Sequence, residues 1–182
     1  MLVATRPTMR RNRILIHSMV ATVLLLVVYG LFLDPAIGLT AAVGRDSSLT
    51  GRTRIWNEVL PLTVNPVFGA GYESFWLGKR LDRIWLENGQ HINQAHNGYL
   101  EVYLDLGLVG LVLVVVVMIW GYRNAIQTVR RAPNLGSLQL AFLVVAVIYN
   151  LTEHAFRDLH PVWIMLLLAA VNLPVPLRQE FE

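Results

Sequence analysis

Two short polar segments contain side chains that could do chemistry, and the first is rich in arginine. Arg45 lies in Gly-Arg-Asp, and Arg52 and Arg54 lie in Leu-Thr-Gly-Arg-Thr-Arg-Ile-Trp. The apolar residues from Ile55 onward recur at helical spacing, which predicts a short amphipathic helix with Arg52 and Arg54 in its first turn. Free N–H groups at a helix start favour an anion and disfavour a cation. Arginines at that position are explained if a phosphate or diphosphate binds beside them. The alternative is a solvated loop whose arginines touch lipid headgroups.

The second segment contains a histidine, His96, in Gln-Ala-His-Asn-Gly-Tyr-Leu-Glu. No breaker follows before Gly107, so the sequence predicts that His96 lies in the first turn of a helix that enters an apolar block. Histidine exchanges a proton near neutral pH, so His96 could take the proton of a reacting hydroxyl group. The alternative is a histidine that caps the helix or lies at a membrane interface.

No other combination of residues matches a known catalytic or metal-binding pattern. The chain has no cysteine, which excludes disulfides and thiolate metal sites. The chain has no glycine loop of the kind that binds the phosphates of ATP. Chemistry away from the cytoplasm then proceeds without ATP and needs a substrate that is already activated. No basic cluster is interleaved with aromatic residues, so nucleic acid is not an expected partner. Four histidines and one glutamate match no zinc spacing, so neither a metal nor a cofactor is expected: His91, His96, Glu153, His154 and His160.

The sequence blocks on either side of these polar segments are strongly apolar. Of the 182 residues, 55% are hydrophobic and 15% are charged, and the apolar residues form blocks suited to a hydrocarbon core about 30 Å thick. The blocks predict a transmembrane helix over 14–33, a second over 106–121, and a two-helix transmembrane hairpin over 138–175. The predicted fold class is therefore an all-α integral membrane protein with about four transmembrane helices.

The arginines also predict the orientation, because cationic flanks tend to stay in the cytoplasm. They precede the first block and lie between the second and third, so the N-terminus (1–13), the 122–137 loop and the 176–182 tail are predicted to be cytoplasmic. One large periplasmic loop, 34–105, then joins the first two transmembrane helices and carries both polar segments. The predicted location is the bacterial inner (cytoplasmic) membrane, as a multi-pass protein.

The periplasmic loop has its own predicted organisation. A helix is expected from Gly51 to about Val64, with Thr50 as its N-cap and Pro61 as the residue that kinks or ends it. Residues 65–94 contain several glycines and aromatic residues. Such a composition is typical of turns and of a surface that lies on the membrane interface.

Four segments, taken in order, resemble the O-antigen ligase and polymerase family, which includes exopolysaccharide polymerases. They are GRDSSLTGRTRIW, NPVFGAGYESFW, QAHNGYLEVYLDLGLVGL and YNLTEHAF. The resemblance extends from about Gly44 to Phe156. It is to the C-terminal part of the family, its periplasmic loop and last membrane helices.

The resemblance implies a metal-independent glycosyltransferase that works at the periplasmic face in surface polysaccharide biosynthesis. The implied donor is a saccharide linked to undecaprenyl diphosphate, and the acceptor is a hydroxyl group on a glycan or on lipid A core. By position, Arg52 would hold the diphosphate, with Arg54 and Arg45 as further phosphate contacts. His96 would deprotonate or orient the acceptor hydroxyl, and Glu153 would orient His96 or a sugar.

Two questions stay open at this level. Ligases and polymerases share these motifs, so the sequence does not choose between them. The alternative to an enzyme is a truncated, non-catalytic membrane subunit or pseudoenzyme that binds lipid-linked glycan or a partner protein, because the four predicted spans are fewer than the family usually has. Membrane lipids are expected partners in either case, and a separate chain could supply the missing spans.

Overall fold

The structure is a computed structural model that describes residues 48–89 and 91–171, together with positions 17, 18, 20–22 and 25. The chain divides into two compact units, Met1–Gly51 and Arg52–Glu182, and the described positions before residue 48 are helical. No strand occurs in these ranges, which confirms the all-α prediction for them. Between residues 48 and 171 the α-helices are α1 (Ser48–Val59), α2 (Gly78–Asn88), α3 (Gly98–Arg131), α4 (Pro133–Tyr149) and α5 (Pro161–Ala170).

Within the described residues, α3 is the one helix long and apolar enough to cross a membrane. It contains the predicted span 106–121 and continues to Arg131, because no proline interrupts it before Pro133. The two shorter apolar helices α4 and α5 correspond to the predicted hairpin over 138–175. The predicted span over 14–33 lies mostly outside the described residues. The number of transmembrane helices and the side of each loop therefore stay predictions.

The helices α3, α4 and α5 pack against one another. They share an apolar cluster in which Val114, Leu143 and Leu166 are buried. At the start of α3, the Tyr99 ring packs edge-on against Phe156, with the ring centroids 5.3 Å apart. This contact fixes the start of α3 against the loop between α4 and α5.

A break at Gly107, whose backbone angles (φ 64°, ψ −157°) are not helical, divides α3 into two parts. A side chain at Gly107 would overlap the backbone of Val67, so both the positive φ and the close approach require glycine. The loop over 66–71 runs beside the break and replaces the hydrogen bonds that the helix loses. On the loop side, the Ala70 amide donates to the Leu104 carbonyl at 3.0 Å, and the Gly71 amide donates to the Asp105 carbonyl at 2.8 Å. On the helix side, the Leu108 amide donates to the Pro66 carbonyl at 2.9 Å, and the Val109 amide donates to the Val67 carbonyl at 3.1 Å.

The predicted loop helix is α1, and Pro61 ends it as predicted, within a 3₁₀ helix over Leu60–Leu62. The prediction of Thr50 as N-cap is wrong, because α1 begins at Ser48 and Thr50 lies inside the helix. Asp46, Ser47 and Ser48 are N-capping residue types further upstream, and the spacing of apolar residues does not choose among them.

The interpretation of residues 65–94 as turns and interfacial aromatics is incomplete, because they contain α2. The inner side of α2 is marked by Ile84, which is buried in a cluster with Val59, Phe75 and Leu104. Gly89, in the left-handed conformation with φ 64°, ends the helix. These contacts place α1, α2 and the first part of α3 around one small core.

Candidate functional site

Three of the residues singled out in the sequence meet at one carboxylate. Arg52 Nη2 lies 3.3 Å from Glu153 Oε1, and His96 Nδ1 lies 3.4 Å from Glu153 Oε2. Arg52 and His96 are 101 and 57 positions away from Glu153 in sequence, so only the tertiary fold brings them together. The side chains of Arg52, His96 and Glu153 are 17%, 36% and 38% exposed, which leaves the group accessible to a ligand.

Arg52 lies inside α1 rather than at its start. Because α1 begins at Ser48, the free N–H groups of the helix start precede Arg52 by about one turn. The prediction that Arg52 and Arg54 occupy the first turn is therefore wrong, and the helix start does not explain these arginines. The opposite charge that Arg52 faces is the Glu153 carboxylate.

Arg54, another predicted phosphate-binding arginine, does not join this group in the structure. Arg54 lies on a different face of α1, where its Nε is 3.0 Å from Glu58 Oε1 and its side chain is 64% exposed. Exposed pairs of this spacing contribute only about 0.3–0.5 kcal/mol, so Arg54 has the contacts of an ordinary surface residue. Arg45 lies outside the described residues.

His96 lies just before α3 and not in its first turn, which corrects the sequence prediction. The helix starts after Asn97, whose side-chain oxygen accepts hydrogen bonds from the amides of Tyr99 and Leu100, each at 3.0 Å. Asparagine is among the best N-cap residues, so it sets the helix start one residue beyond the histidine. The φ of His96 is 51°, in the left-handed region that residues other than glycine rarely adopt.

The segment with His96 is fixed to the segment with Glu153 through the backbone. The Gly98 amide donates to the carbonyls of Asn150 and Glu153, at 2.8 and 3.0 Å. A side chain at Gly98 would overlap the side chain of Asn150. Asn150 is fully buried, and its side-chain oxygen accepts from the amide of Ala155 at 2.9 Å. The third and fourth sequence segments of the family resemblance therefore form one packed junction.

Sequence reasoning missed two residues that contact Ala95, the residue before His96. Trp56 Nε1 donates to the Ala95 carbonyl at 2.8 Å, and the buried Glu101 carboxylate accepts from the Ala95 amide. The available signal was weak: Trp56 follows Arg52 by one helical turn, and Glu101 is an acidic residue close to an apolar block. Spacing alone does not reveal a partner that is a backbone group.

The other histidines between residues 48 and 171 have different surroundings. Burial and the nearby charge of Arg157 lower the pKa of His154 to about 4, so its imidazole is neutral at physiological pH. His160 caps α5 with its ring nitrogen, and His91 packs edge-on against Trp85 with centroids 4.4 Å apart. Among the described residues, no three histidine or carboxylate side chains form a group that could hold a metal ion.

The group at Glu153 combines two chemical abilities. The Arg52 guanidinium can donate paired hydrogen bonds to phosphate oxygens. The His96 imidazole, with Nδ1 facing a carboxylate, can accept a substrate proton at Nε2. Anion binding and proton transfer are thus available to a single substrate.

These features define a class of protein: helical in the described region, with a membrane-length helix and a candidate site for an anionic substrate next to its start. The sequence profile of the O-antigen ligase family matches residues 1–115. This range is more than half of the chain, and the chain belongs to that family. The matched range includes Arg52 and His96 and ends before Glu153.

The name of a similar protein also refers to polysaccharide production. The chain is 33% identical to the exopolysaccharide production protein ExoQ of Rhizobium meliloti (strain 1021), over 44% of this chain and 20% of that protein. The matched part of this chain thus spans about a fifth of the length of the relative. No solved structure matches the chain. The family expected from the four sequence segments is confirmed by the profile.

Proposed function

We propose that the chain acts in surface polysaccharide biosynthesis as a glycosyltransferase of the ligase or polymerase type. It transfers a saccharide from undecaprenyl diphosphate to a hydroxyl group on a glycan or on lipid A core, at the periplasmic face of the bacterial inner membrane. The observation that carries this proposal is the contact of Arg52 and His96 with the two oxygens of Glu153. Family membership and the name of the exopolysaccharide relative support the class of product.

Arg52 binds the leaving group in this proposal. A guanidinium donates two parallel hydrogen bonds to phosphate oxygens and keeps its charge at physiological pH. When the bond between the anomeric carbon and the diphosphate oxygen breaks, negative charge grows on that oxygen, and a fixed cation stabilises it. Glu153 holds the guanidinium in place at 3.3 Å, and its exposure of 38% allows it to give way to the incoming diphosphate.

His96 takes the proton of the acceptor hydroxyl. Its Nδ1 lies 3.4 Å from Glu153 Oε2, so the carboxylate favours the tautomer with the proton on Nδ1 and leaves Nε2 to accept. The acceptor oxygen forms the new bond to the anomeric carbon while its proton moves to Nε2. The same carboxylate then stabilises the resulting imidazolium. The lipid diphosphate is already activated, so the proposed transfer uses no metal or other cofactor.

The proposed site lies beside the start of the membrane-length helix, which suits a lipid-linked substrate. Gly98 begins α3 just after His96, and the exposed side of α3 is apolar at Val112, Leu113 and Val116. Multi-pass insertion and the periplasmic side of the loop are taken from the arginine distribution. The match spans 20% of the relative, and the proposal includes a separate chain as a possible source of further membrane helices.

Cells that lack the gene and receive variant copies test the proposal, with the amount and chain length of surface polysaccharide as the readout. We expect Arg52→Ala and His96→Ala each to abolish transfer. The matched control is Arg83→Ala, which removes an exposed arginine paired with Glu87 and should leave transfer unchanged. Immunoblots of membranes separate loss of protein from loss of activity. Normal polysaccharide from both site variants would overturn the proposal.

A further inference from the structure

Ala95, the residue before His96, is held through both of its backbone polar groups. Its carbonyl accepts a hydrogen bond from Trp56 Nε1 at 2.8 Å, and its amide donates to Glu101 Oε1. Ala95 is fully buried and Glu101 is only 1% exposed. The backbone is therefore fixed on both sides in the protein interior, immediately before the candidate proton acceptor.

Glu101 is an unexpected residue at such a buried position. Removing a carboxylate from water is unfavourable unless its oxygens accept hydrogen bonds. Both oxygens do so, Oε1 from the Ala95 amide and Oε2 from Trp76 Nε1 at 2.7 Å. An apolar side chain would fill the same space without the cost of desolvation. The hydrogen bonds of Glu101, rather than its volume, therefore explain its presence.

His96 needs support from its surroundings because of its backbone conformation. A φ of 51° is rare for a residue other than glycine, and it persists only where neighbouring contacts hold it. The fixed Ala95 supplies this support on one side, and the N-cap residue Asn97 supplies it on the other. The direction of the imidazole follows from this backbone and brings Nδ1 within 3.4 Å of Glu153.

We infer that Glu101 is a positioning residue that fixes the backbone of His96 through Ala95, so that the imidazole meets a substrate held by Arg52. Trp56 completes this arrangement, because it lies one turn after Arg52 on α1 and binds the other polar group of Ala95. The helix that carries the anion-binding residue thus also sets the place of the histidine. This inference rests on the proposed function.

A positioning role and a purely structural role change different quantities. Arg52 and Glu153 are not contacts of Glu101, so the affinity for the donor diphosphate should stay within about twofold when Glu101 is altered. The transfer rate should fall, because displacing a reacting group by about 1 Å costs up to roughly a hundredfold. We expect a decrease in kcat of about ten- to a hundredfold with little change in the KM of the donor.

The experiment uses membranes that contain the full chain with its natural partners, and lipid-linked saccharide from the same cells as donor. Glu101→Met keeps an unbranched side chain of similar length and removes both accepting oxygens, so the Ala95 amide loses its acceptor. Trp56→Phe removes the donor to the Ala95 carbonyl. Both variants should lower kcat at unchanged donor KM. The matched control Trp76→Phe removes a donor to the same carboxylate without touching Ala95, and it should lower thermal stability but not kcat.

A second readout does not depend on transfer. NMR spectra of the detergent-solubilised chain with labelled histidine report the surroundings of each imidazole, and His96→Ala identifies the His96 signals. We expect Glu101→Met to shift these signals while the affinity for added undecaprenyl diphosphate stays that of the wild type.

Two results would overturn the positioning role. One is full kcat in Glu101→Met, whatever the His96 signals show, and the other is a parallel loss of kcat, donor affinity and folded protein. The variants Arg52→Ala and His96→Ala, assayed in the same membranes, separate this inference from the proposed function. Normal transfer by both means that the proposed function fails. Their inactivity beside a fully active Glu101→Met means that only the positioning role fails.

Discussion

The backbone amide of Gly98 donates a hydrogen bond to the carbonyl oxygen of Glu153, at 3.0 Å. This contact joins the start of α3 to the turn after α4, and it lies beside the 3.4 Å contact between the His96 and Glu153 side chains. A backbone hydrogen bond does not depend on which side chain either residue carries. The local fold should therefore survive substitutions of His96 or Glu153, so that such variants test chemistry rather than folding.

The first prediction concerns Glu153→Gln. The amide keeps the shape of the side chain but removes the negative charge that faces Arg52 and that favours the productive tautomer of His96. We expect the initial rate of transfer, measured in membranes at saturating donor, to fall about tenfold or more. Glu87→Gln is the control, since it removes a carboxylate from an exposed pair with Arg83. Equal rates in both variants would contradict the role given to Glu153.

The second prediction concerns the break in α3. Gly107→Ala should lower the free energy of unfolding by about 3 kcal/mol, because it adds an overlap with the Val67 backbone to a conformation (φ 64°, ψ −157°) that favours glycine. Gly89→Ala is the comparison, since Gly89 also has a positive φ of 64°, with ψ 10° in the left-handed helical region, and has open space around its Cα. This control should cost only about 1 kcal/mol. Denaturant unfolding in detergent measures both, and equal losses would refute the proposed overlap.

The third prediction is a dependence of stability on pH. Burial and Arg157 lower the pKa of His154 from 6.5 to about 4 in the folded chain. Between these values the unfolded chain binds a proton that the folded chain does not. The stability linked to neutral His154 is therefore fully present above about pH 6.5 and decreases as the pH falls towards 4. His154→Gln should make the free energy of unfolding fall less steeply over this window, and an unchanged slope would speak against the pKa shift.

Features of the fold that depend on local chemistry could be predicted from the sequence. Pro61 ends α1 because proline lacks the amide that a helix needs, whatever surrounds it. The helix α2 could not be predicted in the same way. It is stabilised by the packing of Ile84 against Val59 and Phe75, and this contact depends on the tertiary fold. The start of α1 was misplaced because several capping residue types precede it.

The candidate site could be predicted only in part, because it too depends on tertiary contacts. Arg52 and His96 stand out by residue type, but their nearness to Glu153 is a tertiary fact. The different surroundings of Arg52 and Arg54 could not be predicted from sequence, since the packing of α1 decides which of its faces is covered. Glu101 was missed because it binds the backbone of Ala95, and a backbone group leaves no trace in the residue pattern.

The most direct measurement separates binding from transfer in membranes that contain the full chain and its partners. Labelled undecaprenyl diphosphate measures affinity, and release of lipid diphosphate from lipid-linked saccharide measures transfer. We expect Arg52→Ala to lose affinity, whereas His96→Ala should bind like the wild type but form no product. Wild-type rates of product formation by Arg52→Ala and His96→Ala would contradict it.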